Sequence, residues 1–166
     1  SSVCAVLGHQ ALRERLTCLF IDDGLMRQGE GADVQRAFSE LGIKVQVTDK
    51  AEAFFAALKG KADPEEKRKA FRDTFYKTLG EAVRAAKANF LLQGTIAADV
   101  IETQKGVKTQ HNILEQIGID PKSYGLQILE PVKTLFKPEV RQVGRALGLP
   151  PSITERMPFP GPGLAT

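Results

Sequence analysis

The sequence predicts an α/β fold in which a parallel sheet is covered by helices on both faces. Three observations carry this: short apolar runs stop at polar, glycine-containing turns, amphipathic stripes at helical spacing lie between them, and strong helix-start signals separate the two. Strands that alternate with helices pair in parallel through crossover connections, and ligands of such sheets bind beyond the carboxyl ends of the strands. The turns after the strands are therefore the first place to look for chemistry.

The elements follow in order. Over residues 2–12, Val3, Val6, Leu7 and Ala11 recur at helical spacing and form a first helix. Residues 16–21 are a short apolar run ending at Asp22-Asp23-Gly24, the pattern of a strand buried on both faces. Val34, Phe38 and Leu41 form one stripe that closes at Gly42, and residues 43–47 alternate as a second strand. Asp49 with Glu52 suits a capping box opening a short helix through Phe54, Phe55 and Leu58 to Gly60. Asp63, Pro64 and Glu66 repeat the start signal more strongly, because proline tolerates the first helical position and carboxylates suit the positive helix end.

The helix that follows has a core stripe of Phe71, Phe75, Leu79, Ala82, Val83 and Ala86. Phe90-Leu91-Leu92 reads as a buried strand ending at Gln93-Gly94-Thr95. Between residues 97 and 124 the periodicity breaks down, which makes this stretch a candidate lid. Residues 126–132 return to strand character, and residues 138–148 form a last helix with Val140, Val143 and Leu147 on one side.

Bulk properties narrow the class. A chain of 166 residues with 42% hydrophobic and 26% charged residues is an ordinary globular domain with one core. A net charge of +3 is too small for a nucleic-acid surface and compatible with anionic small molecules. Cys4 and Cys18 lack redox or zinc spacing and read as reduced, buried thiols. No apolar run approaches the roughly 18 residues that cross a bilayer, so a cytoplasmic location is the default expectation. The chain opens on Ser1-Ser2 and stops in a proline-glycine segment, and is read as a piece of a longer protein.

Several segments could carry chemistry. Asp22 and Asp23 at a strand tip could receive a ribose hydroxyl or a magnesium ion, although acidic residues also begin ordinary turns. Gln93-Gly94-Thr95 allows a ligand to approach the backbone, with a plain turn as an equal contender. Asp99 and Glu102 share a face if residues 96–103 are helical, and would hold a cation or simply be solvated. Lys108-Thr109-Gln110-His111-Asn112 gathers groups that neutralise phosphate charge, or is loop. Pro158-Phe159-Pro160-Gly161-Pro162-Gly163 is a rigid linker or a wall beside a ligand.

Taken together and in order, these strings resemble the ATP-pyrophosphatase domain of the GMP synthase family. Asp22-Asp23-Gly24 with Leu25-Met26-Arg27 is similar to the family's Asp-Asn-Gly strand end, and residues 64–69 to its Pro-Glu-Glu-Lys-Arg-Lys helix start. Gln93-Gly94-Thr95 with Asp99, Ile101 and Glu102, the string at residues 107–112, Glu130-Pro131 with residues 136–141, and the closing signature at residues 158–165 complete six matches. The resemblance implies a Rossmann-like fold of the adenine nucleotide alpha hydrolase type, with the first strand and its phosphate loop lying upstream and only the loop's closing serine present as Ser1. It also implies a domain over residues 1–156 with a lid at about residues 97–124, then a linker over residues 157–166 toward a C-terminal dimerisation domain.

The activity so implied is adenylation of XMP by ATP with Mg2+, and displacement of AMP by ammonia from a glutamine amidotransferase domain or subunit, giving GMP and pyrophosphate. This would make the full-length protein a carbon–nitrogen ligase that works as a homodimer, with the present stretch inactive alone and neither membrane nor nucleic acid as partner. Lys108, His111, Asp99 and Glu102 would be catalytic. Ser1, Phe20, Ile21, Asp22, Asp23, Gly24, Gln93, Gly94 and Thr95 would border ATP, and Thr109, Gln110, Asn112, Arg156, Pro158, Phe159, Pro160 and Gly161 would belong to the lid and substrate region. Gln110, Ala98, Met157 and Arg72 depart from the family pattern. They leave open a divergent paralogue, either a related ligase with another acceptor or a non-catalytic nucleotide-binding domain.

Overall fold

A computed structural model describes residues 1–104, 126–157 and 163–165. Strands β1 (Cys18–Asp22) and β2 (Val45–Asp49) pair in parallel from Cys18 against Val45 to Asp22 against Asp49. Strands β3 (Phe90–Leu92) and β4 (Gln127–Leu129) form a second parallel pair, Phe90 opposite Gln127 and Leu92 opposite Leu129. Parallel pairing and the alternation with helices are as the sequence predicts. The described strands nevertheless form two two-stranded sheets, since β1 and β3 do not bond to each other.

Helix α1 (Ser2–Leu12) bridges the two sheets. A Cβ at Gly8 would stand 3.3 Å from side-chain atoms of both Leu16 and Leu92, and the Cys4 thiol lies 3.7 Å from the Gln93 carbonyl. Val3, Cys4 and Val6 on this helix form the main core with Phe38, Ile43, Val132 and Leu149. A tight turn at Arg13–Arg15 returns the chain to the start of β1. Gly8 faces Leu16, just before β1, while Cys18 within β1 packs against the cluster that holds Val3, Cys4 and Val6, so β1 runs back along the helix toward its start.

Helix α2 (Glu30–Ser39) presents Ala37 and Phe38 inward, and the chain turns at Gly42 before Ile43, which is buried. Helix α3 (Ala51–Leu58) starts one residue later than a cap at Asp49 requires. The Asp49 carboxylate accepts from the Ala51 N–H at 2.9 Å, but Lys50 occupies the cap position and makes no side-chain cap. Helix α4 (Pro64–Ala86) is opened as its start signal predicts, with the Asp63 carboxylate accepting from the Glu65 and Glu66 N–H groups at 3.0 and 2.9 Å.

The inward face of α4 is Phe71, Thr78, Gly80 and Val83, while Ala86 at its end is exposed. Phe54, wholly buried, meets Phe71 with ring centroids 4.8 Å apart, and Ala165 completes this cluster. Val83 packs with Leu126 under β3 and β4. Phe90, read from the sequence as buried, is half exposed: α4 covers the face of Leu91 and Ile128, and on the Phe90 face the packing of α1 falls on Leu92 beside Gly8. Cys18 is likewise only partly buried, whereas Cys4 is buried; both are free thiols.

Helix α5 (Ala97–Gln104) occupies the beginning of the stretch expected to be an irregular lid, whose remainder lies outside the described residues. Helix α6 (Lys137–Ala146) lays Val140 and Val143 on the main core, and the one-turn α7 (Pro151–Thr154) follows. The end of the chain is docked: Gly163–Ala165 forms a 3-10 turn whose Leu164 N–H donates to the Leu25 carbonyl at 2.9 Å. Gly163 sits at φ 61° against that carbonyl, with no room for a Cβ. Among the described residues no helix is long and apolar enough to cross a membrane.

The double backbone cap at Asp63 yields a direct expectation. Asp63→Ala should lower the unfolding free energy of the full-length protein by about 1 kcal/mol in urea denaturation, the usual value of one helix N-cap. An unchanged midpoint would mean that α4 draws nothing from its cap.

Candidate functional site

The turn after β1 forms one half of the site. The Asp22 carboxylate accepts from the Gly24 N–H at 3.0 Å through Oδ1, and the Asp22 carbonyl accepts from the Lys50 N–H at 2.8 Å. This locks the end of β1 to the start of the helix after β2. Asp22, Gly24, Met26, Arg27 and residues 28–32 line a cleft of about 380 Å³. Asp23 does not line it: its side chain is buried and accepts from the Leu25 N–H at 2.8 Å. Burial raises the Asp23 carboxyl above the usual carboxylate range, the Asp22 charge adds to this, and the Leu25 N–H opposes it.

The tip of β3 forms the other half. Gln93 continues the pairing with β4 by donating its N–H to the Leu129 carbonyl at 2.9 Å. Gly94 then passes so close to the start of α1 that a Cβ would stand 2.5 Å from the Ser1 nitrogen and 3.1 Å from its Cα. Any side chain here would push helix and strand tip apart. Thr95 is buried and donates its hydroxyl to Glu130 at 2.7 Å, which ties the tips of β3 and β4 together. The Ile96 N–H donates to the Asp99 carboxylate at 3.0 Å, so Asp99 caps the start of α5.

The start of α1 is electropositive. The first N–H groups of an α-helix have no partner within the helix, and Ser1 makes no side-chain cap to them. Lys137 opens α6 and Arg156 follows α7, and both helices reach the first turn of α1, where Thr154 and Val3 would stand 3.0 and 3.3 Å from a Cβ at Gly144. An anion placed at this corner would meet helix amides, two cations and a glycine that permits close approach, the combination that phosphate groups favour.

A buried carboxylate joins the turn after β1 to the segment that follows α7. Glu30, at the first position of α2, is only 8% exposed. It accepts from the Arg156 guanidinium at 2.8 Å and from the Arg27 N–H at 3.3 Å. Arg27 also donates to the Met157 carbonyl at 2.6 Å, and Arg141 of α6 donates to the Arg156 carbonyl at 3.4 Å. The segment from Arg156 to Met157 is thus fastened to the turn after β1 by both side chain and backbone.

Sequence-predicted residues fall into four groups. Asp22 and Gly24 line the cleft, while Phe20 does not, its ring lying behind the lining residue Gly31, 3.5 Å from a Cβ placed there. Ser1 and Gly94 are brought together, while Gln93, Thr95 and Asp99 stand nearby in hydrogen bonds to the protein itself. Ile21 and Asp23 face inward, Ile21 toward the cluster around Phe54 and Phe71. Lys108, Thr109, Gln110, His111, Asn112, Pro158, Phe159, Pro160 and Gly161 lie outside the described residues, and Glu102 lies on α5. Arg27, Glu30, Glu130, Lys137 and Arg141 were not among the expected site residues. Arg27 follows the strand tip within a few positions, a spacing that could have flagged it.

Comparison with known proteins places this arrangement. No protein-family model matches the chain. It is 47% identical over 165 residues to a subunit of glutamine-hydrolysing GMP synthase from Sulfurisphaera tokodaii, covering 99% of the chain and 44% of that protein. The same subunit from Archaeoglobus fulgidus is 48% identical over 166 residues, with 53% of that protein covered, and that from Methanopyrus kandleri 45% identical, with 52% covered. The chain spans about half the length of the curated relatives it matches. Over that half, the chain is similar to this subunit of glutamine-hydrolysing GMP synthase along 99% of its own length.

Proposed function

We propose that this chain supplies most of the nucleotide-activating part of a GMP synthase, which adenylates XMP with ATP so that ammonia can convert it to GMP. The observation that carries this reading is the corner at the start of α1, where Gly94 passes too close to Ser1 to carry a side chain, the first helix amides have no side-chain cap, and the helices that open at Lys137 and lead into Arg156 meet Val3 at Gly144. Adenosine would lie along the turn after β1, with Asp22 accepting from ribose hydroxyls. The phosphates would lie toward Gly94 and the first turn of α1.

The reaction makes modest demands on protein groups. A carbonyl oxygen of the purine attacks the α-phosphorus, the bond to the β-phosphate breaks, and pyrophosphate departs. Ammonia then adds at the activated carbon and AMP leaves with the oxygen, so a poor leaving group has become a good one. What the chain must provide is alignment, charge opposite the phosphates and exclusion of water from the adenylate. Lys137 and Arg156 supply fixed charge, and Lys108 with His111 would add charge from the stretch beyond α5.

Magnesium is expected as part of the substrate. Among the described residues no three His, Cys, Asp or Glu side chains gather as for a metal. Asp22, Asp23 and Asp99 each accept a backbone N–H through one oxygen. Mg2+ keeps most of its waters and binds readily through substrate phosphates, which suits arrival as Mg–ATP. The ammonia would come from a glutamine amidotransferase domain or subunit, and a homodimer is proposed from the family likeness.

Two measurements test the reading. Isotope exchange between ATP and pyrophosphate in the full-length protein should require XMP; exchange that proceeds equally without XMP would reject this acceptor and favour a related ligase. Lys108→Met should cut that exchange roughly 100-fold, as loss of one transition-state charge partner does, with the far-UV spectrum unchanged. Wild-type turnover in this variant would make Lys108 an ordinary surface residue.

A further inference from the structure

We propose that Glu30 is a positioning residue, whose carboxylate holds the Arg156 guanidinium at the corner where the triphosphate binds. This rests on the reading of that corner given above. Glu30 is 8% exposed while Arg156 is 44% exposed, so the carboxylate is the fixed partner and the guanidinium the presented one. The bond uses one guanidinium nitrogen, Nη1, at 2.8 Å, leaving the rest of the planar fork to face outward.

The surroundings support a device for orientation. Glu30 is itself held through its other oxygen by the Arg27 N–H at 3.3 Å. The backbone of the Arg156–Met157 pair is gripped from two sides, by Arg141 at 3.4 Å and by Arg27 at 2.6 Å. Beyond them, Leu164 is tied to the Leu25 carbonyl in the same turn. Residues 25–30 thus anchor Arg156 at side chain and main chain, and the helix that leads into it meets the first turn of α1 across Gly144, where Thr154 and Val3 would lie 3.0 and 3.3 Å from a Cβ. A guanidinium left free on its long stem would have to be ordered when the anion binds, and that ordering weakens affinity.

The sign of the effect separates positioning from bulk charge. If Arg156 acted only through the local potential, removing the Glu30 charge would make the corner more positive and tighten anion binding. If Glu30 positions Arg156, the same change weakens binding, by roughly three- to tenfold for one rotamer-rich side chain.

The test is calorimetric titration of a non-hydrolysable ATP analogue with Mg2+ into the full-length protein at fixed ionic strength. Wild type, Glu30→Gln, Arg156→Gln and the double variant are compared, with melting temperatures recorded alongside. Weaker binding by Glu30→Gln, and a double variant no weaker than Arg156→Gln alone, establish the positioning role. Unchanged or tighter binding by Glu30→Gln, or losses that simply add, overturn it. Should Glu30→Gln fail to fold, Arg156→Lys decides, because lysine keeps the charge but not the planar fork: weaker binding supports positioning and wild-type binding rejects it. A wild-type protein that binds no analogue would bring down the functional reading as well, an outcome distinct from all of these.

Discussion

The functional end of this molecule depends on one steric constraint, the contact of Gly94 with the first residue of α1. Because Gly94 has no side chain, the tip of β3 comes within van der Waals distance of the helix start, and a Cβ there would lie 2.5 Å from the Ser1 nitrogen. Going back along β3 to Leu92 corresponds to going forward along α1 to Gly8, so strand and helix are antiparallel. The turn at Arg13–Arg15 then sends β1 in the same direction as β3. Two separate strand pairs therefore place their carboxyl ends on one rim, with the positive end of a helix between them.

Hydrogen bonds between elements distant in sequence hold this rim together. Thr95 and Glu130 are 35 positions apart and join the tips of β3 and β4; Glu30 and Arg156 are 126 apart and join the turn after β1 to the end of the chain. Removing one partner of a buried ion pair commonly costs about 3–5 kcal/mol, and the partial exposure of Arg156 reduces that figure here. The value of Glu30 therefore lies more in orientation than in stability. The carboxylates of Asp22, Asp23 and Asp99, which seemed available to ligands, are each partly engaged by a backbone N–H, which fixes their orientation at the strand tips.

Much of this was legible in the sequence where the signal is local. Asp63-Pro64 marked the start of α4 to the residue, and the stripes of α2 and α6 gave their inward faces, while that of α1 held at Val3 and Val6 and failed at Ala11, which is exposed. Phe90 misled, since a three-residue apolar strand carries no sign of which face is covered. Asp49 misled by one position, because a carboxylate two residues before a helix N–H reads much like a cap. The strand tips Asp22-Asp23-Gly24 and Gln93-Gly94-Thr95 were found, but not which of their side chains turn inward. Glu30 was invisible: a glutamate between two glycines looks exposed, and its burial is caused by an arginine far along the chain.

The account stands or falls on a single shared rim, and a backbone-amide titration reports on it most directly. When a non-hydrolysable ATP analogue is added to the isotope-labelled protein, the resonances that move should belong together to residues 2–4, 22–31 and 93–95. Movement confined to one of these segments, or centred on Arg13–Arg15 at the far end of α1, would contradict it.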